Sequence, residues 1–209
     1  MAVDPQKIKK AVRHLRAADP VMREVIRRVG PCHIRLERDR FRMLVRSILS
    51  QQISTSAARA IRLRFEALMH PEQPTPQNVA RLTVDELRGV GVSSQKATYL
   101  LDLAGRASQG TIRLRDIGRL SDEKAIAELT EVKGIGRWTA QMFLMFSLGR
   151  LDVFPHDDLG VRSAIRNLYG LDELPDKSRS HEIAAPWRPY ASVASWYCWR
   201  SMDLEPETV

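Results

Sequence analysis

Val132-Lys133-Gly134-Ile135-Gly136-Arg137-Trp138-Thr139-Ala140, followed after an apolar run by Asp152-Val153-Phe154-Pro155-His156-Asp157-Asp158, is the stretch that decides how this chain folds. Gly134 and Gly136 free the main chain of Cβ atoms where a turn enters a helix. Backbone N–H groups can there point together at an anion, and a phosphate can come close. The aspartates follow about one helix further on, where a nucleotide held by such a clamp would meet them. This spacing points to chemistry on DNA and not to DNA binding alone.

Outward from the turn, Leu120, Ala125, Ile126 and Leu129 repeat at helical spacing before the glycines, and Ala140, Phe143, Leu144 and Leu148 continue the apolar stripe after them. Residues of about 121–149 therefore fit a helix–hairpin–helix, in which the second helix opens with N–H groups aimed at one phosphate. A Gly-x-Gly between two helices is also the ordinary way to build a plain turn. The downstream aspartates favour the clamp.

Apolar residues recur at helical spacing almost throughout, with no alternating run bounded by hairpin turns, so the chain is expected to be all-α. Helices are expected near 5–18, 20–29, 40–51, 54–69, 83–89, 94–109, 121–131, 136–149, 158–170, 178–185 and 189–202, give or take a few residues at each end. Ser54, Thr83, Ser93 and Ser121 stand where a side-chain oxygen can cap the first N–H groups, and Asp122 and Glu123 suit the positive end of a helix. The breakers in His70-Pro71-Glu72-Gln73-Pro74-Thr75-Pro76 mark an exposed connection. Leu87-Arg88-Gly89-Val90-Gly91-Val92-Ser93 echoes the later glycine turn, and one echo makes a helix–turn–helix junction and not a repeat.

With 209 residues, 44% of them hydrophobic, the chain can bury one substantial core or two small lobes sharing a cleft. A formal charge of +8 suits a polyanionic partner, because Lys and Arg that neutralise phosphates release counterions. The only cysteines, Cys32 and Cys198, exclude a four-cysteine zinc or iron–sulfur site built from this chain and give no disulfide framework. The opening residues lack the apolar core of a signal peptide, and Met142 to Leu148 is too short to span a bilayer. The expectation is a reduced, soluble, intracellular protein without membrane contact: cytoplasmic and nucleoid-associated in a bacterium, nuclear in a eukaryote. No apolar stripe is left over, so a monomer is expected.

Asp157 and Asp158 precede the helical pattern of Leu159-Gly160-Val161-Arg162, so one of them suits an N-cap worth about 1 kcal/mol. A carboxylate there suits the positive end of the helix and can serve a second role. Breaking the bond between a base and its deoxyribose passes through an oxocarbenium-like sugar, which a nearby carboxylate stabilises or attacks through an oriented water. The base must first leave the stack. Trp187, Tyr190, Trp196, Tyr197 and Trp199 crowd one end of a chain that is only 6% aromatic. At helical spacing such residues usually form core; the alternative is a stacking surface for an extruded base, for which Trp138 and Trp196 are the candidates. Gln51 and Gln52 interrupt an amphipathic pattern between two helices, so that site should be open to water.

With these motifs in order, the chain resembles the helix–hairpin–helix DNA glycosylases, and among them the 3-methyladenine DNA glycosylase II (AlkA-type) branch. The resemblance runs from about Phe41 to Trp199. It rests on Ser50-Gln51-Gln52-Ile53-Ser54, the Leu87–Ala97 segment, the hairpin, Phe154-Pro155-His156-Asp157-Asp158, and Pro186-Trp187-Arg188-Pro189-Tyr190 with the following helix. It implies one glycosylase unit over 1–209, made of two helical lobes with a cleft and the hairpin at its edge. The middle lobe would span about 50–150, and the two terminal segments would form the other.

The resemblance makes Asp158 the catalytic carboxylate and places Trp138, Trp196, Tyr197 and Met142 around the flipped base. Gln52 would fill the gap left by the nucleotide, and Gly134, Ile135, Gly136, Arg137 and Thr139 would bind the DNA strand. The carbonyls of Thr130, Val132 and Ile135 would hold a structural Na+ or K+, with no cofactor for the chemistry. Relatives that also cut the strand carry a lysine where this chain has Trp138, because an amine forms the Schiff base with the sugar. Lys133, across the turn, is not that nucleophile. The iron–sulfur cysteines of other relatives and the N-terminal sheet-containing domain of longer ones are missing, and Met142 replaces an aromatic residue. The resemblance thus implies a monofunctional glycosylase acting in base-excision repair on double-stranded DNA with alkylated purines of the 3-methyladenine and 7-methylguanine type. A bifunctional glycosylase/lyase and a hairpin module that only binds DNA are the alternatives.

Overall fold

Asp4-Pro5 and Asp19-Pro20 each start a helix: the carboxylate accepts first-turn N–H groups, and proline sets φ where no intrahelical N–H is needed. They open α1 (Pro5–Ala18) and α2 (Pro20–Val29) in the computed structural model, which describes residues 3–204. There follow α3 (Arg40–Ser50), α4 (Thr55–Ala67), α5 (Pro76–Val79), α6 (Val84–Gly89), α7 (Ser94–Ser108), α8 (Asp122–Thr130), α9 (Arg137–Phe146), α10 (Leu159–Leu168), α11 (Lys177–Ala184) and α12 (Ala191–Ser201). Among the described residues there is no strand, and the all-helical expectation holds.

Most helix starts follow from the cap chemistry. Ser54 accepts the Ala57 N–H, Ser93 the Lys96 N–H, and Thr83 forms a reciprocal capping box with Glu86. Ser121 occupies the N-cap of α8, but its hydroxyl makes no capping bond; Asp122 and Glu123 supply the negative charge in that first turn. The proline-rich connection is mostly exposed, yet Pro74 is buried and Thr75 caps the one-turn α5, which the breakers hid.

The chain divides into two units. The middle unit runs from Glu37 to Phe143, and the terminal unit joins the residues up to Leu36 with those from Leu144 onward. The first boundary lies before the expected 50, because α3 packs on α4 and α7 and so belongs to the middle unit, and the second falls within α9, before the expected 150. In the middle unit α7 lies against α3, α5 and α6, and Leu44, Ile48, Phe65, Leu87, Leu100, Leu103, Leu129 and Phe143 are buried. In the terminal unit α12 lies against α1, α2 and α10. Seven of its eleven residues are buried, which makes α12 the central helix of that unit. Around it Leu15, Met22, Phe154, Val161, Ile165 and Trp187 complete the core.

Candidate active site

In the middle unit, α8 ends at Thr130 and the chain turns back through Val132 N–H to Leu129 carbonyl (3.2 Å) and Ile135 N–H to Val132 carbonyl (3.1 Å). Gly134 has φ +79°, and a Cβ there would fall 2.1 Å from the Tyr99 ring, so both conformation and packing demand glycine. Gly136 differs. A Cβ there would meet nothing within 4 Å, which leaves the start of α9 open to a close approach from outside. By helix geometry the first-turn N–H groups of α9 point out along its axis, at the positive end of the dipole. The side chains of Ile135 and Thr139 are buried, and Arg137 forms a bidentate pair with Glu123 (3.0 and 2.5 Å). At Ile135 and Thr139 it is therefore the main chain that is open to an approaching group.

The turn is fastened from two sides. The Lys133 N–H donates to Asp102 on α7 (2.9 Å), itself paired with Arg106, and the Gln51 amide donates to the Gly134 carbonyl (2.8 Å). Lys96 reaches the Leu49 carbonyl at the end of α3 (2.9 Å), and burial lowers its pKa. Gln52, next in the chain, is exposed with φ +54°, the left-handed region that costs most side chains energy. The loop bearing Gln52 is thus tied to the hairpin turn through Gln51, a contact that sequence reasoning did not foresee. Trp138 is 46% exposed on the first turn of α9, with Met142 buried one turn later on the same face.

In the terminal unit, the segment before α10 is zipped to the start of α12. Ser192 bonds the Leu151 carbonyl through its N–H (3.0 Å), and its hydroxyl accepts from Val153 N–H (2.9 Å). Asp152 receives Arg188 (3.0 Å) and the Ala191 N–H (3.3 Å). Phe154 packs edge-on against Trp187 and His181. A turn closed by Asp158 N–H to Pro155 carbonyl (3.0 Å) then sends the two aspartates apart: Asp157 faces solvent beside His156, and Asp158 turns inward. His181, whose ring lies against His156, has its pKa lowered by burial and by Lys177 and Arg188, against an opposing pull from Asp157.

Asp158 is 8% exposed and caps α10. Its Oδ1 accepts the Val161 N–H at 2.8 Å and the Trp199 indole N–H at 2.9 Å. Trp199 was not among the expected site residues; no chain spacing announces it. Trp196 lies one turn before it on α12, half-buried, with the Arg200 guanidinium 5.9 Å from its ring centre.

Tyr197 corrects the sequence reading. It is fully buried, its hydroxyl donates to the Gly30 carbonyl (3.0 Å), and burial raises its pKa. It belongs to the core of the terminal unit and not to a surface that could face a base.

A carboxylate held at a helix N-terminus can oppose positive charge developing on a sugar, and an open glycine turn at a second helix start can receive a phosphate. Residues 45–189 match the family described as HhH-GPD superfamily base excision DNA repair protein. The DNA-3-methyladenine glycosylase 1 of Schizosaccharomyces pombe is 36% identical over 95% of this chain and 90% of its own length. The DNA-3-methyladenine glycosylase 2 of Escherichia coli is 32% identical over 76% of this chain and 57% of its own. The structure of the Schizosaccharomyces pombe 3-methyladenine DNA glycosylase in complex with abasic DNA superimposes with a TM-score of 0.83 at 35% identity, covering 93% of this chain and 97% of that one. By the span of the family match and by these identities over most of its length, the chain belongs to the helix–hairpin–helix (HhH-GPD) superfamily of base excision DNA repair proteins.

Proposed function

We propose that this protein is a monofunctional DNA glycosylase that removes alkylated purines, of the 3-methyladenine and 7-methylguanine type, from double-stranded DNA and leaves an abasic site. The observation that carries the reading is Asp158: a buried carboxylate at a helix start, its Oδ1 held by two donors, in a chain 36% identical over 95% of its length to an enzyme named DNA-3-methyladenine glycosylase 1. An alkylated purine carries positive charge that weakens its glycosidic bond, so catalysis needs little help for the leaving group. Asp158 stabilises the cationic sugar and orients the attacking water.

The remaining roles belong to the same proposal. The turn from Gly134 to Gly136 and the first N–H groups of α9 grip a phosphate, with a Na+ or K+ ion on the carbonyls of Thr130, Val132 and Ile135 offsetting its charge. Gln52, exposed and strained, enters the vacated stack. Trp138 and Trp196 each offer an electron-rich face on which an extruded cationic base gains cation–π energy. Tryptophan at position 138 offers no amine for a Schiff base, so the reaction stops at base release. The enzyme works as a monomer.

The test is chromatographic release of free methylpurine from methylated duplex DNA by the wild type and by Asp158→Asn. Release by the wild type and its loss in the variant are expected, with no covalent adduct trapped by borohydride. Unchanged release by the variant would remove Asp158 from the mechanism. A trapped adduct would make the enzyme bifunctional, and no release from any lesion would leave a DNA-binding module.

A further inference from the structure

We propose that Trp199 is a positioning residue for base excision: its indole N–H fixes the orientation of the Asp158 carboxylate, and the rate of the chemical step depends on that bond. The proposal rests on the reading of Asp158 as the catalytic carboxylate. It begins from an excess of donors. An N-cap needs one backbone N–H, and the exposed caps Asp39 and Asp176 each take their helical amide, from Arg42 (2.9 Å) and Arg179 (2.7 Å). Asp158 takes its amide from Val161 and, on the same Oδ1, the indole N–H of Trp199 from a different helix.

Two donors from separate elements on one oxygen do what a single cap cannot. One bond leaves the carboxylate free to pivot about it; a second, from another direction, fixes the plane of the group. The packing around the pair serves the same end. A Cβ on Gly160 would lie 3.1 Å from Asp158 Oδ1, 3.1 Å from Trp199 Cδ1 and 3.3 Å from its Nε1, so the approach of indole to carboxylate runs past a residue without a side chain. The Phe146 ring, tilted 38° with its centre 5.9 Å away, backs the indole from the end of α9. A charge-assisted bond of this kind sets where a carboxylate points, and misplacement of a reacting group is costly in rate.

The experiment measures two quantities on the full chain: the single-turnover rate of 7-methylguanine release, with enzyme in excess, and the dissociation constant for duplex DNA with a tetrahydrofuran abasic analogue. Trp199→Phe keeps a ring and removes the donor. Replacement of Trp199 by β-(3-benzothienyl)alanine keeps the indole shape with sulfur in place of N–H, and covers the case in which the phenylalanine variant packs badly. Both are expected to slow release about tenfold to hundredfold, the range of a lost bond to a charged group, with affinity within about twofold of wild type. On an Asp158→Ala background, Trp199→Phe is expected to leave the slow residual rate unchanged, because no carboxylate remains to be oriented.

A wild-type rate in the benzothienyl protein overturns the proposal. So does a Trp199→Phe loss that persists undiminished on the Asp158→Ala background, which would make Trp199 a packing residue. Wild-type release by Asp158→Ala alone would instead refute the catalytic reading of Asp158, whatever the Trp199 variants do.

Discussion

Two buried aspartates cap helices in the terminal unit, and each receives an indole N–H at 2.9 Å: Asp19 from Trp187 at the start of α2, and Asp158 from Trp199 at the start of α10. The buried thiol of Cys198 feels both; burial raises its pKa first, and the two negative charges add to the shift. The stations differ in how the donors are spread. Asp19 receives Val21 and Met22 N–H on Oδ1, and Trp187 and the Tyr169 hydroxyl on Oδ2, four donors that hold α2, the end of α10 and the turn after α11 together. At Asp158 the helical amide and the indole converge on a single oxygen. Both arrangements join elements: the first ties three segments through both oxygens, and in the second donors from two helices meet on Oδ1. Burial, capping and an indole partner are common to both aspartates and do not by themselves tell them apart.

The largest expected effects come from deleting each carboxylate in turn. Asp158→Ala should slow methylpurine release by more than about a hundredfold while stability, from urea unfolding, falls by little more than the loss of a cap, about 1 kcal/mol. Asp19→Ala should do the reverse. It removes a cap and strands two donors, one of them on the fully buried Trp187, so a loss of roughly 3–5 kcal/mol is expected with near-normal release per folded molecule. Equal activity losses in the two would erase the distinction. Trp187→Phe extends the contrast: it leaves an unfilled space in the core and Asp19 one donor short, and should cost roughly 2–3 kcal/mol, against about 1 kcal/mol for Trp199→Phe, where the ring is only partly buried.

Much of this was legible in the chain. Helical periodicity and cap residues placed eleven of the helices, and the two glycines and paired aspartates drew attention to the hairpin turn and to the start of α10. Which aspartate turns inward was not legible from spacing, because Asp157 and Asp158 are neighbours and only the turn closed on Pro155 separates them. The aromatic residues of α12 were harder still. A helix buried on nearly every side has no polar face to set a phase, so nothing in the pattern told Tyr197, which is core, from Trp196, which is half-exposed, or singled out Trp199. Nothing in the spacing singles out Asp19, since two of its donors lie far along the chain at Tyr169 and Trp187.

Alkaline pH should act at the Asp19 station. Burial first, and then the bond to Asp19, raise the pKa of the Tyr169 phenol above its ordinary value of 10.0. A folded-state pKa above the unfolded one means that the unfolded chain releases this proton first. The contribution of Tyr169 is therefore complete below about pH 10 and declines as pH rises beyond it. Urea midpoints taken from pH 8 to 11 should fall less steeply for Tyr169→Phe than for the wild type, by up to about one proton in the linkage slope, although the variant starts lower at pH 8. Parallel curves would show that the phenol plays no part in holding the station together against alkali.

Gly160→Ala probes the Asp158 station most gently. Its backbone needs no glycine, so alanine gains helix propensity of up to about 1 kcal/mol. Against that, the new methyl group would stand 3.1 Å from both Asp158 Oδ1 and Trp199 Cδ1, close enough that one of them must give by a few tenths of an ångström. The two terms nearly cancel in stability, and the melting temperature should move by no more than a few degrees in either direction. They do not cancel in rate. A carboxylate displaced that far keeps its cap but loses its aim, and a fall in release of about two- to fivefold is expected at unchanged affinity for abasic DNA. Should release stay at the wild-type level, the station tolerates a loose carboxylate, and the difference from Asp19 would lie in what surrounds Asp158 and not in how it is held.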